Sequence, residues 1–374
     1  MRKTTVRPAL FLLSVLPALA AGPALPDWAI GPFARPRNAQ PVIRPNPASV
    51  FHCPMRETEV HWEQLHTFNP AAVVRNGKVY LLYRAEDASG EMQIGGHTSR
   101  IGLAISADGL RFLREPSPVL FPALDDQRAF EWTGGCEDPR LAERADGTYV
   151  VLYTQYTGPK EGRVRLGLAS SKDLVHWTKH GSPFSGTRYE NWTMKSASIV
   201  HEVVNGRLIA AKINGKYWMY FGEHSVHLAA SDDLISWKPL ETSAGEPLEV
   251  MLTRPGYFDS GLTEIGPQAI RTRKGIVVFY NGKNNDPSKD GDPSLSNGVY
   301  SCGQALFAGD NPARLVARLA KPFFEPELPW EKTGQYAAGT TFSEGLVWFK
   351  GKWLLYYGCA DTFVGVATAK ARPE

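Results

Sequence analysis

The sequence predicts an all-β protein folded as a five-bladed β-propeller. First, a strand–turn–strand theme recurs five times along the 374 residues. Second, 35 Gly and 28 Pro supply turns, while 10 Trp, 14 Tyr and 17 Phe favour pleated, half-buried surfaces. Third, no long apolar stripe at helical spacing interrupts these segments. Length alone would allow two or three domains of about 150 residues; the recurrence points to one ring of stacked units instead. A hydrophobic share of 43 % and a charged share of 21 % exclude a disordered chain. With 41 basic against 38 acidic residues, the formal charge is +3, too balanced for an electrostatic nucleic-acid binder.

Residues 1–20 read as a secretory signal peptide. Arg2, Lys3 and Arg7 form a positive start, Ala9 to Ala20 an apolar run, and Ala18-Leu19-Ala20 a small-x-small cleavage site. The run is short of the roughly 20 apolar residues that a membrane span needs. The expected location is therefore the periplasm or the exterior, with no membrane insertion after cleavage. Residues 21–66 form an N-terminal lead-in, irregular and rich in Pro and Ala up to residue 50, and 67–374 the single propeller domain. Cys53, Cys136, Cys302 and Cys359 show no CxxC pair or zinc spacing. They read as buried thiols, above all Cys136 and Cys359, with a disulfide left open.

The five copies run in order. The first is Asn69-Pro70 through Tyr83-Arg84, then RIGLAISADGLRF from Arg100; Asn76-Gly77 between two β-rich runs is a two-residue hairpin signal. The second is EDPRLAERADGTYVVLYTQY from Glu137, turning at Asp146-Gly147, then RLGLASSKDLVHW from Arg165. The third begins at Ser196 and continues with VHLAASDDLISW from Val226. The fourth is IGPQAIRTRKGIVVFYNGKN from Ile265, then YSCGQALFAGD from Tyr300. The fifth is FSEGLVWFKGKWLLYYGCAD from Phe342, then FVGVATAK from Phe363. Each unit has an apolar face it cannot bury alone, which stacking in a ring resolves. A β-sandwich is the competing architecture.

Acidic residues recur at the ends of these units: Asp138 in Gly-Gly-Cys-Glu-Asp-Pro-Arg, Glu223 after an aromatic strand, Glu264 opening the fourth copy and Asp361 after Gly358-Cys359-Ala360. One such carboxylate alone would be a strand-end hydrogen-bonding group. Four at equivalent, axis-proximal places, with aromatics, point to carbohydrate chemistry. Glycosidic cleavage needs an acid for the leaving oxygen, and inversion adds a carboxylate that activates water. Other chemistries find little support. No Gly-x-Ser-x-Gly, Walker loop or GxGxxG is present. His52, His61 and His66 are too loosely spaced for metal ligands and read as surface or packing residues. The acidic stretch Asn285–Pro293 lacks the Glu of a calcium loop and reads as a solvated loop.

From Asn69 to Ala367 the chain resembles glycoside hydrolase family 130, the β-mannoside phosphorylases and β-mannosidases. FNPAAVV…LLYRAED, RIGLAIS, GCEDPRL, KYWMYFGE, YNGKN, KPFF and TFSEGLVWFKGKWLLYYGCADT follow the family's order. The resemblance implies a five-bladed propeller and makes Asp138 the general acid, acting through a hydroxyl of the bound mannose. It implies that Asn69, Arg84 and Asp361 hold the mannosyl unit, with Lys195 a weaker match to a site lysine. Glu223 and Glu264 resemble the glutamates of the subgroup that uses water instead of phosphate. Carboxylates would repel a phosphate dianion but can take a proton from water. Phosphorolysis conserves bond energy as a sugar phosphate, which helps only inside a cell, so the signal peptide points the same way.

The expected protein is thus an exported inverting hydrolase of β-mannosidic bonds, with β-1,2 as the expected linkage and no cofactor or metal. Its partner is a mannoside oligosaccharide or mannan, not nucleic acid; an oligomer is left open, as is which glutamate is the base. A β-mannoside phosphorylase and a non-catalytic glycan-binding propeller are the alternatives.

Overall fold

The computed structural model describes residues 25–370; the expected signal segment 1–20 lies outside them. Nearly all regular structure is β. Among the described residues the helices are one turn at Arg128–Glu131 and one 3-10 turn at Pro329–Glu331.

The strands form five antiparallel meanders in chain order. The first is His66–Arg75, Lys78–Glu86 and Ser99–Ser106, with Leu113–Arg114 outside. The second is Gly135–Glu143, Tyr149–Tyr156, Val164–Ser171 and Thr178–Gly181. The third runs from Ala197–Val204 through Lys216–Phe221 and Val226–Ser231 to Trp237–Pro239. In the fourth, Leu262–Ile265 and Ala269–Thr272 both pair with Gly275–Lys283, followed by Tyr300–Phe307 and Leu315–Arg318. The fifth is Thr341–Phe349, Lys352–Cys359 and Phe363–Ala369.

Five apolar cores lie between these meanders. Leu82, Ile101 and Leu103 of the first meet Leu141, Val151 and Tyr153 of the second. Leu152 and Leu168 of the second meet Ile199, Met219 and Phe221 of the third. Val200, Tyr220 and Leu228 of the third meet Ile276, Val278 and Phe307 of the fourth. Val277 and Phe279 of the fourth meet Leu346, Trp353 and Leu355 of the fifth. Val347, Leu354 and Tyr356 of the fifth meet Ala72, Leu81 and Tyr83 of the first. Each sheet thereby buries both faces, and the last core returns to the first meander.

Local sequence explains the turns. Asn76 and Gly77, with φ of 49° and 69°, join Arg75 to Lys78 as the two-residue hairpin signal requires. The Asp146-Gly147 turn is longer than that signal implies, because pairing stops at Glu143 and Tyr149. Asp146 accepts the Thr148 N–H at 2.9 Å to close it. Three meanders repeat one outer turn. Ser106, Ser171 and Ser231 each accept a backbone N–H three residues on, and Asp108, Asp173 and Asp233 each accept two. Trp177 and Trp237 then donate to the Leu174 and Leu234 carbonyls.

The lead-in is more ordered than its composition suggests. Phe51–Cys53 and Thr58–Val60 form a small hairpin. Further upstream, Ala34 and Thr368 exchange hydrogen bonds of 2.9 and 2.8 Å, and Val42 and Ile43 bridge Val364, so the segment lies along the free edge of the last strand. A polar backbone finds its partners there without belonging to a named strand. All four cysteines are buried and unpaired. In the Asn285–Pro293 loop, Asp286 and Asp292 accept the Ser288 and Ser294 N–H groups, each at 2.9 Å.

Candidate active site

The inner strands open a cavity of about 410 Å³, and all seven sequence-predicted residues line it: Asn69, Arg84, Asp138, Lys195, Glu223, Glu264 and Asp361. They come from all five meanders or the segments just before and after their strands. Backbone irregularity aims several of them. The pairing register slips between Phe68 and Pro70 and again between Glu137 and Arg140, so Asn69 and Asp138 are bulge residues. Both have φ of 47°, Asp361 has 50°, and Ser196, next to Lys195, has 58°. Non-glycine residues adopt this left-handed region at a cost, and here it turns side chains inward. Gly358 makes the arrangement possible, since a Cβ there would collide with Asn69 Oδ1.

One half of the cavity is built on Arg84. Its Nη1 donates to Asp138 Oδ1 at 3.2 Å, and its Nη2 to Glu86 Oε1 at 2.6 Å and Glu137 Oε1 at 2.8 Å. Its Nε reaches Ser99 Oγ at 3.1 Å. Asn69 Nδ2 donates to Asp138 Oδ1 at 2.8 Å. Burial would push the Asp138 carboxyl up, but Arg84, Lys195, Arg140 and the Asn69 bond outweigh it and hold it below the usual range. Burial pushes Glu137 and Asp361 up to about 7, against the pull of Arg84 and with the push of Asp138 and Glu86. Asp138 is therefore the group of the cluster that ionises most readily, while Glu137 and Asp361 still hold part of their protons near neutral pH.

The other half is built on Lys195. Its Nζ lies 3.6 Å from Glu223 Oε2 and 3.8 Å from Glu264 Oε1. The Thr263 N–H donates to the Glu223 carbonyl at 2.7 Å, which joins the turn after Lys216–Phe221 in the third meander to the start of the fourth and brings the two carboxylates together. Glu264 is almost fully buried and accepts from Ser196 Oγ, whereas Glu223 is 24 % exposed. Burial raises the Glu264 carboxyl, Lys195 opposes that, and Glu223 adds to it. The two glutamates, led by Glu264, raise the Lys195 ammonium against its desolvation.

Arg140 ties the halves together from beneath. It donates to the Asp138 carbonyl at 3.2 Å, Ser196 Oγ at 3.3 Å and the Ile265 and Gly266 carbonyls at 2.9 and 3.0 Å, and it pairs with buried Glu344. Among the described residues the aromatic lining is Phe68, Tyr156, Tyr300, Tyr336 and Phe342, with no Trp. Arg84 already covers the Phe68 ring at 4.7 Å. Tyr300 and Tyr336 meet edge to face at 5.3 Å.

Sequence reasoning gave no role to Glu137, Glu86, Gln335, Tyr300 or Tyr336. Glu137 had a signal in its place beside Asp138. Gln335 had none, yet it bridges the Glu86 carboxylate at 3.1 Å and the Asp361 carbonyl at 2.9 Å.

The profile of a family described as beta-1,4-mannooligosaccharide phosphorylase, Glyco_hydro_130, matches residues 34–372. A 1,2-beta-oligomannan phosphorylase of Thermoanaerobacter sp. (strain X514) is 32 % identical over 317 residues, covering 84 % of this chain and 93 % of that relative. A glycosyl hydrolase structure from Bacteroides ovatus is 50 % identical with a TM-score of 0.90, covering 94 % of this chain and 97 % of that one. A second structure is described by the words "The GH130 family of mannoside phosphorylases contains glycoside hydrolases that target beta-1,2 mannosidic linkages in Candida mannan". It is 49 % identical with a TM-score of 0.90, over 94 % of this chain and 97 % of that one. The carboxylate-rich cavity thus stands in a chain that belongs to glycoside hydrolase family 130, whose members act on mannosides.

Proposed function

We propose that this protein is an inverting glycoside hydrolase that cleaves β-1,2-mannosidic bonds with water, and that its five meanders are the blades of a propeller closed around the cavity. One observation carries the choice of water over phosphate: Lys195 is already neutralised by Glu223 and Glu264. An incoming phosphate dianion would meet two carboxylates and no free cation at that pair, whereas a water molecule would meet two proton acceptors. The hydrolase described for β-1,2-mannosidic linkages, at 49 % identity, supports the same reading.

In this mechanism Arg84, Asn69 and Asp361 hold the mannosyl unit. Asp138, held ionised in the cluster, first takes up a proton from Glu137 or Asp361, whose carboxyls are raised to about 7, and passes it through a sugar hydroxyl to the leaving oxygen. Glu223 and Glu264 act as a base pair on the opposite face of the sugar, as inversion requires. We further propose that residues 1–20 direct export and are cleaved, which intact-mass measurement of the protein from its producing cell checks.

The deciding assay incubates β-1,2-mannobiose with and without phosphate. Equal mannose release in both is expected; mannose 1-phosphate formed only with phosphate overturns the proposal and favours phosphorolysis, the activity named for the Thermoanaerobacter relative. Glu223→Gln and Glu264→Gln are each expected to lower kcat by at least about 100-fold, and near-normal turnover in both would remove the base pair.

A further inference from the structure

Behind Arg84, outside the lining of the cavity, three side chains of metal-ligating type converge. One ligand atom each from His66, Glu86 and His97 lie within 4.8 Å of one another. The backbone places them there. His66 begins the first strand of the first meander and Glu86 ends the second, and the two are register partners. His97 enters from the loop that precedes Ser99–Ser106. Glu86 and His97 are buried, and His66 is partly exposed.

Two further observations point to a ligand. His97 Nδ1 is buried without a hydrogen-bond partner, although buried polar atoms are nearly always satisfied. In addition, His66 Nδ1 lies 3.1 Å from Thr362 Oγ1, and Glu86 Oε2 accepts from Gln335. Such outer contacts are the kind that orient the ligands of a metal. The surroundings also favour added positive charge. Arg84 faces Glu86, Glu137 and Asp138 at ion-pair distance, so carboxyl groups outnumber the guanidinium even while Glu137 holds a proton.

We propose that His66, Glu86 and His97 form a binding site for a divalent transition cation of borderline softness, with zinc as the probe. Two imidazoles and a carboxylate are a three-ligand set that leaves a fourth position open. Zinc bonds of about 2.1 Å set tetrahedral ligand atoms about 3.4 Å apart, so modest side-chain rotation closes the site. The cation takes no part in the glycosidic step. It would fix Glu86, and through Glu86 the position of Arg84.

The test uses the full, untagged chain, stripped with a chelator and titrated calorimetrically with Zn2+. Metal content is measured after dialysis, and melting is followed with and without Zn2+. One zinc per chain and a raised melting temperature are expected. His97→Ala should weaken binding by at least about 100-fold, and the exposed His61→Ala should leave it intact. Cobalt in the wild-type chain should give the visible bands of tetrahedral coordination, a reading that does not depend on whether any variant folds. Absence of stoichiometric zinc, or equal retention by a folded His97→Ala chain, overturns the site.

Discussion

Burial makes it costly to ionise Glu137 and Asp361 in the folded state. In the unfolded chain both carboxyls release their protons near pH 4; in the fold, burial raises them to about 7. Between these values the folded state binds more protons, so their contribution makes stability fall as pH rises through that window. Glu137→Gln removes one of these groups while keeping its shape. The variant is expected to melt higher than wild type at about pH 8, with little gain at about pH 4, and to lose activity. A melting difference of equal size at both pH values would show that the carboxyl does not titrate as described. Gly358 belongs to the same scale. Gly358→Ala drives a methyl group into Asn69 Oδ1 and should break the 2.8 Å bond to Asp138. A misplacement of about 1 Å at such a site costs on the order of 100-fold in kcat/KM; unchanged kinetics would show that Asn69 need not sit where it does.

At the scale of elements, the repeated strands were legible because their physics is local. Asn76-Gly77 demands a tight turn, and the Ser-x-Asp turns at Ser106, Ser171 and Ser231 recur because each closes on its own hydrogen bonds. The opening residues Asn69 and Asp138 were legible too, each beside a proline in a corresponding place. The bulges that aim them were not, since a register slip depends on the partner strand. Tyr300, Tyr336 and Gln335 escaped notice for a related reason: they enter the cavity from the end of the chain opposite Arg84, and no spacing links them. His66 was noticed among loosely spaced histidines, but its neighbours in space are Glu86 and His97, not His52 or His61.

At the scale of the whole molecule, the five cores depend on one another, because each meander buries both faces only when its two neighbours are present. The N-terminal segment reinforces the joint. Ile30 and Gln304 exchange two hydrogen bonds of 2.9 and 2.8 Å. Arg35 donates to both oxygens of buried Glu331, at 2.7 and 2.8 Å. Arg35→Ala would leave that buried carboxylate without its cation, held by the Tyr357 hydroxyl and the Glu327 and Leu328 N–H groups, a loss of about 3 kcal/mol. A large fall in melting temperature is expected, with kcat and KM unchanged at temperatures where the variant stays folded. Altered kinetics in the folded variant would show that the N-terminal segment shapes the cavity.

The contact between Arg35 and Glu331 spans 296 positions, so the first part of the described chain to leave the ribosome must wait for nearly the last. Closing so long a loop is slow, and until the fifth meander also packs on the first, each of the two presents an apolar flank without its cover. A nascent chain of this design stays open until synthesis is all but complete. For a protein that is to be threaded across a membrane, that delay keeps it passable; for one folding in a crowded cell, it marks the interval in which a chaperone would be needed.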